Sequence, residues 1–273
     1  MDIHSIETGF FSTDGGAMFG IVSPKVWAVR YPSDEEGRCP LSMRVLFADM
    51  GDRKVLFDAG VGKEMPKNTA YYRFHDLKSP LDGLKALGYD ADDITDLVFS
   101  HLHFDHCCGA VARVNGRLMP VFPNAVYWVG EKQWEAARHP SLWEADAFAP
   151  EVLDVLEKTG RLRLVGANRE LFPGLRVKLA QGHTGDQLLS YVETSFGTVV
   201  YVGDVVPMSP HLLPLCVAAV DNSALQSVDE KMAVLEEAVA NDQILFFFHD
   251  AATVAVRLKK VNGRISVREK IQI

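Results

Sequence analysis

Residues 100–109 read SHLHFDHCCG, so His101, His103, Asp105 and His106 fall within six positions. Imidazole nitrogens and carboxylate oxygens are the ligands that suit zinc, iron and manganese. On a loop, residues two apart can converge on one ion. Residues four and five positions along can then serve a second ion. Two metals about 3.5–4 Å apart can share a hydroxide and clamp an oxygen-rich transition state. Four such side chains after an apolar stretch have no common structural explanation. Without a cation their imidazoles would crowd one another and lose charge-state freedom. The spacing points to metal-assisted hydrolysis.

Two ions need more than four ligands, and the chain offers more. His183 lies in GHTGD, Asp204 in YVGDVV and His249 in FFFHD. A carboxylate such as Asp204 could bridge two ions. Taken singly, each histidine reads as a hydrogen-bonded structural residue, and Asp58 or Asp204 as a turn former or helix cap. They become metal candidates because they accompany the 101–106 cluster. Cys107 and Cys108 precede Gly109 and read as small buried residues packed beneath the loop rather than as ligands. No Ser-His-Asp or Cys-His arrangement stands out, and His75 and His139 read as surface or loop residues.

The elements that must position these groups are visible in the pattern. RVLFADMGDRKVLFDAG reads as a hairpin turning at Gly51-Asp52 and ending at Asp58. SPLDGLKALGY starts a helix capped by Ser79, with Pro80 in its first turn. ITDLVFS (94–100) is a short buried strand that runs straight into the cluster. AVYWVG (125–130) is another strand, followed by a helix from Glu131 to about Arg138. A hairpin spans 188–206 with its turn near Ser195-Phe196-Gly197. SVDEKMAVLEEAVAND (227–242) reads as a helix with Ser227 and Glu230 as its capping box. QILFFFHD (243–250) is a buried strand ending at His249. GGAMFGIVSP (15–24) reads as a loop or edge segment covering something. Asp58, His101, Asp204 and His249 all sit at or just after predicted strand ends, where side chains of a layered fold converge.

Composition narrows the function classes. The 273 residues carry 28 basic and 36 acidic side chains, a net of −8. That disfavours a nucleic-acid partner, which calls for a basic face. No apolar run is long enough to span a membrane and no signal peptide is evident. Four cysteines make no disulfide framework, so a reduced, cytoplasmic protein is expected.

The H-x-H-x-D-H run at 101–106, GHT at 182–184, GD at 203–204, the strand-terminal His249 and Asp58 in LFDAG follow one another over about 45–250. In that order they resemble the metallo-β-lactamase-fold hydrolase superfamily. The resemblance implies an α+β fold, a four-layer αββα sandwich, over a single 1–273 domain with residues 1–40 bordering the active site. It implies that His101, His103 and His183 hold one metal, that Asp105, His106 and His249 hold another, and that Asp204 bridges them. Asp58 would orient a metal-binding histidine. Two divalent ions are expected, zinc foremost, with manganese, iron or cobalt as alternatives.

Within the superfamily the chain is most similar to the N-acyl homoserine lactone lactonases and the methyl parathion hydrolase-like phosphotriesterases, on GAMFG (16–20) and DEEGRC (34–39). The expected activity is opening of lactones or cleavage of related esters by a metal-bridging hydroxide. Phosphotriester hydrolysis, or a mononuclear iron-dependent oxygenase of the same fold, is the alternative. Many lactonases place a tyrosine three residues after the bridging aspartate, where this chain has Pro207. His211 is the candidate replacement donor, and Asp105 is expected to accept a proton as the ester opens. Met18, Phe19, Trp27, Phe104 and Met208, with Leu213, are candidate pocket walls, about half of them expected to be core. The partner is a small ester or lactone, and the apolar N-terminal stretch would suit a homodimer.

Overall fold

Alternating apolar runs and turn residues fold this chain into two sheets. The computed structural model describes residues 1–63 and 69–273, with only the backbone of Thr69 and Ala70. Asp2–Asp14 (β1) pairs antiparallel with Arg38–Asp49 (β2). The chain turns through Gly51 into Lys54–Phe57 (β3), with Asp49 opposite Lys54. Asp96–Val98 (β4) adds parallel to β3. After a separate hairpin, Val111–Val114 (β5) and Arg117–Pro120 (β6), come Val126–Gly130 (β7) and Leu162–Val165 (β8). The first sheet has the order β1-β2-β3-β4-β7-β8.

The second sheet takes the C-terminal half. Its strands are Arg169–Phe172 (β9), Leu175–Ala180 (β10), Gln187–Thr194 (β11), Gly197–Tyr201 (β12), Ile244–Phe246 (β13), Ala255–Val261 (β14) and Arg264–Ile271 (β15). They lie side by side in reverse sequence order, β15 to β9. All pair antiparallel except β12 with β13.

Strand periodicity sorts this sheet's two faces. Leu188, Val192, Val199, Tyr201, Ile244, Phe246 and Phe248 join the large core shared with the first sheet. Leu189, Tyr191, Val200, Leu245, Phe247 and Val256 point the other way, onto Val234, Leu235 and Ala238 of the helix Ala224–Ala240. The helices Pro80–Ala86 and Glu131–Arg138 lie against the first sheet. The result is the mixed α and β sandwich of the metallo-β-lactamase fold. No described helix is long and apolar enough to cross a membrane.

Two readings need correction, and one strand had no counterpart in the sequence analysis. Residues 2–14 form a full strand that the sequence pattern did not reveal. Residues 15–24 are not simply a loop: Gly15–Phe19 is a short helix capped by the Asp14 carboxylate, and Pro24 opens a second. The helix placed at 227–242 starts a turn earlier, with Ser223 accepting from the Gln226 amide. Ser227 is therefore inside the helix, and the Glu230 carboxylate accepts instead from the Gln181 and Gly182 amides.

Register decides where the chain leaves each sheet. Phe57 pairs with Val98, so Asp58 and the 99–106 segment emerge at one edge. Tyr201 pairs with Phe246, so Asp204 and His249, each three residues further on, emerge together. The sheets meet there: the Ser42 and Arg44 amides of β2 donate to the His249 and Phe248 carbonyls, each at 3.1 Å.

Candidate metal centre and its cavity

Tight backbone packing builds the edge where these strand ends meet. Gly203 has a φ of +48°, and a Cβ there would stand 2.5 Å from the Gln187 amide nitrogen and 3.0 Å from the Ser100 Cβ. A Cβ on Gly109 would stand 2.0 Å from the Ala59 carbonyl oxygen. Glycine is thus required next to Asp204 and behind the histidine loop. Cys107 and Cys108 are fully buried beside Gly109 and belong to none of the metal-competent clusters among the described residues.

Seven side chains converge at this edge. They fall into three overlapping groups: His101, His103 and His183; His101, His106 and Asp204; Asp105, His106 and His249. Within each group the ligand atoms lie within 4.8 Å of one another. His103 Nδ1 stands 3.0 Å from His101 Nε2 and 3.2 Å from His183 Nε2. His249 Nε2 is 3.3 Å from His106 Nε2 and 3.4 Å from Asp105 Oδ2. Asp204 stands between the sets. Its Oδ1 is 3.4 Å from both His106 and His249, and its Oδ2 is 3.5 Å from His183.

The surroundings fix the ring orientations. The His106 Nδ1–H donates to Asp58 Oδ2 at 2.8 Å, that of His183 to Asp221 Oδ1 at 2.8 Å, and that of His249 to the Ser42 carbonyl at 3.0 Å. Asp58 also accepts from the Ser100 amide and hydroxyl, both at 2.6 Å, and from the Tyr201 hydroxyl at 2.9 Å. It adopts a left-handed φ of +59°, unusual outside glycine. With each Nδ1–H committed outward, the Nε2 lone pairs of His106, His183 and His249 point inward, at carboxylate oxygens.

Lone pairs facing a carboxylate leave room for a cation. The buried Asp204 Oδ1 accepts no hydrogen bond from the described residues. Burial alone pushes the His106 pKa down, yet the Asp204, Asp105 and Asp58 carboxylates outweigh it and hold that pKa well above the ordinary value. Burial holds His101 well below its usual value, aided by His106 and His103. Burial would raise Asp204, but His249 and His106 hold it well below the usual carboxylate range. The His/Asp set therefore suits metal binding.

A cavity of about 280 Å³ opens onto Asp105, Asp204, His103, His183 and His249. Phe11 and Thr13 come from β1, and Ala17 and Met18 from the short helix that follows it, so part of the 1–40 segment borders the cavity. Tyr71, Tyr72, Phe104, Trp143, Ala147 and Val220 supply more apolar wall. No lysine or arginine lines it among the described residues.

Of the candidate walls, the structure brings Met18 and Phe104 to the cavity. Phe19, Trp27 and Met208 are instead core. Phe19 stacks on Trp27 at 4.8 Å, and Met208 is fully buried. His211 does not reach the cavity either. Its Nε2–H donates to the Met18 carbonyl at 2.8 Å, its ring stacks on Phe19, and burial lowers its pKa to about 4. It is a neutral residue that holds the 15–19 helix, which removes the basis for a donor role. Pro207 lines the cavity.

Two acids escape sequence reasoning. Asp221 orients His183. Glu144 lines the cavity, stands 3.9 Å from His103 Nε2, and accepts from the Thr184 hydroxyl at 2.6 Å. Burial would raise Glu144, but His103, Thr184 and Asn222 hold it below the carboxylate range. Neither stands at a ligand-like spacing from a histidine that would mark it in the sequence.

Comparison with known proteins agrees with this architecture. The profile of the metallo-beta-lactamase superfamily matches residues 45–241. An N-acyl homoserine lactonase of Bacillus thuringiensis is 26% identical over 196 residues, 69% of this chain and 66% of that protein. The chain thus matches just under two thirds of that relative's length. Among solved structures, a probable metal-dependent hydrolase from Staphylococcus aureus superposes with a TM-score of 0.91 at 23% identity, covering 100% of this chain and 96% of the other. The dizinc quorum-quenching lactonase AidC gives 0.78 at 18% identity, covering 99% and 94%. With the profile spanning most of the chain and the fold matching throughout, the chain belongs to the metallo-β-lactamase superfamily.

Proposed function

We propose that this chain is a dinuclear metal-dependent hydrolase of small, uncharged lactones and related esters. The observation that carries the reading is the position of Asp204, with one carboxylate oxygen facing His106 and His249 and the other facing His183. A bridging ligand is what two ions require. His101, His103 and His183 would hold one ion, Asp105, His106 and His249 the other, with zinc the first choice for this ligand set. Bound there, two divalent ions would supply a hydroxide at neutral pH and polarise the substrate's oxygen.

The chain's own residues do the rest. Asp58, Asp221 and the Ser42 carbonyl hold three rings with Nε2 inward. Asp105 opens onto the cavity, where its carboxylate can take the proton of the newly added hydroxyl and pass it to the alkoxide oxygen that leaves as the ester C–O bond breaks. The apolar walls exclude water and hold an acyl chain. The lack of lining cations among the described residues favours uncharged substrates over anionic ones. Phosphotriesters share that neutrality and fall within the same reading. A complete second group, Asp105, His106 and His249, disfavours a one-iron oxygenase.

The same reading treats 1–273 as one domain in the reducing cytoplasm, where the four unpaired, buried cysteines are at home. A homodimer would use exposed N-terminal apolar residues such as Ile21 and Val29.

The test is metal analysis joined to proton release with N-acyl homoserine lactones and aryl esters, on zinc-loaded and metal-stripped protein. Two ions per chain, acidification only when loaded, and near-complete loss in Asp105→Asn are expected. One iron per chain with no acidification would overturn the reading.

A further inference from the structure

Ester cleavage builds negative charge on a substrate oxygen, and a neutral donor aimed at that oxygen lowers the barrier. The position three residues after Asp204 has no side-chain donor, because it is Pro207. His211 spends its Nε2–H on Met18. The Trp143 indole N–H, at the cavity, donates to the Val220 carbonyl at 3.1 Å. The Tyr71 ring is half exposed and lies beneath the Arg38 guanidinium, 4.4 Å away.

Tyr72 differs from these. Its ring is half-buried and walled by Phe11 at 5.8 Å, Phe74 at 5.7 Å and Phe104 at 5.3 Å. Phe104 stands in the chain between His103 and Asp105, so this contact sets Tyr72 at the rim of the cluster. Among the described residues its hydroxyl has no hydrogen-bond partner and is not sealed in the interior, so the O–H can meet a molecule held in the cavity that Tyr72 lines. We propose that Tyr72 is a catalytic residue whose phenolic O–H donates a hydrogen bond to the substrate oxygen that becomes charged as the ester is attacked. Burial first, and then the Asp105 carboxylate, raises the pKa of this phenol, so it stands as O–H at neutral pH. It acts as a donor and gives up no proton.

The assignment rests on the hydrolase reading, and one experiment separates the two. Zinc-loaded wild type, Tyr72→Phe, Tyr71→Phe and Thr13→Val are compared on N-hexanoyl homoserine lactone, a γ-lactone and phenyl acetate. Tyr72→Phe keeps the ring and its aromatic contacts and removes one oxygen. Its kcat should fall about 10- to 100-fold at nearly constant KM, as for a donor used in the transition state. Metal content and Tm should match wild type, and neither Tyr71→Phe nor Thr13→Val, both at the cavity wall, should show a kcat loss of that size. An active wild type with an equally active Tyr72→Phe, or with the loss appearing in Thr13→Val instead, overturns the assignment and leaves the hydrolase reading intact. A zinc-loaded wild type that cleaves none of the three substrates overturns both.

Discussion

At the residue scale, the centre depends on what stands behind its ligands. The inward Nε2 of His106 exists because Asp58 takes the Nδ1–H at 2.8 Å. Asp58→Asn preserves shape but removes the charge that favours this tautomer and ring orientation. Zinc affinity should weaken about 10- to 100-fold, since partners of this kind tune a metal's ligands at that level. Competition with a chromophoric chelator reads this directly, and unchanged affinity would deny Asp58 the role. His101, His103, Asp105 and His106 are legible in the sequence because His and Asp at such spacing are rare, whereas His183, Asp204 and His249 stand out only beside that cluster and through the family resemblance. Asp221 and Glu144 are not, because a single acid in a loop becomes a partner only when another element brings a histidine to it. Phe19 and Trp27 show the same limit: an aromatic near a site packs inward or outward according to neighbours far along the chain.

At the element scale, the helix Ala224–Ala240 clamps the second sheet's side of the centre. Glu230 binds the amides before His183, and the fully buried Lys231 donates to the Leu213 carbonyl at 2.9 Å and to that of Cys216. Burial lowers the Lys231 pKa from 10.5 to about 8. Between those values the unfolded chain binds a proton that the folded chain does not. Stability from this group therefore rises with pH across that window, and below it the burial cost is present in full. Relative to Lys231→Met, wild type should gain on the order of 3 kcal/mol between pH 8 and 10.5. Urea unfolding at both pH values tests this, and parallel curves would refute it. The sequence shows a helix here but misplaces its start, because Ser227-x-x-Glu230 imitates a capping box. Glu230 is instead drawn to the loop before His183. Strand β1 is missed for a related reason: its buried positions alternate imperfectly, with a register shift between Glu7 and Phe10.

At the scale of the whole molecule, the centre joins two sheets. The 101–106 loop leaves the first, whereas His183, Asp204 and His249 leave the second. Ions held by both act on the folded state alone. Stripping them with a chelator should lower Tm by roughly 8–16 °C, taking about 4 kcal/mol of binding free energy and 2–4 °C per kcal/mol for a chain of this size. Added zinc should restore it, and identical melting with and without chelator would exclude a bound metal. The two-sheet architecture is legible from the mixed order of hairpins and helices. The joining of β2 to the 248–250 segment is not, because pairing across some 200 residues leaves no local trace.

Most of the cavity wall comes from segments other than those that carry the ligand cluster, with Phe104 and Pro207 as exceptions. Residues 11–18, 71–72, 143–147 and 218–220 shape the opening, and none of the seven clustered residues lies in them. Substrate preference and bond-breaking chemistry are thus encoded in separable stretches of the gene. A combinatorial library restricted to Met18, Tyr71, Trp143 and Val220 should yield many variants that still load metal yet differ in acyl-chain selectivity, which makes this scaffold a practical starting point for laboratory evolution.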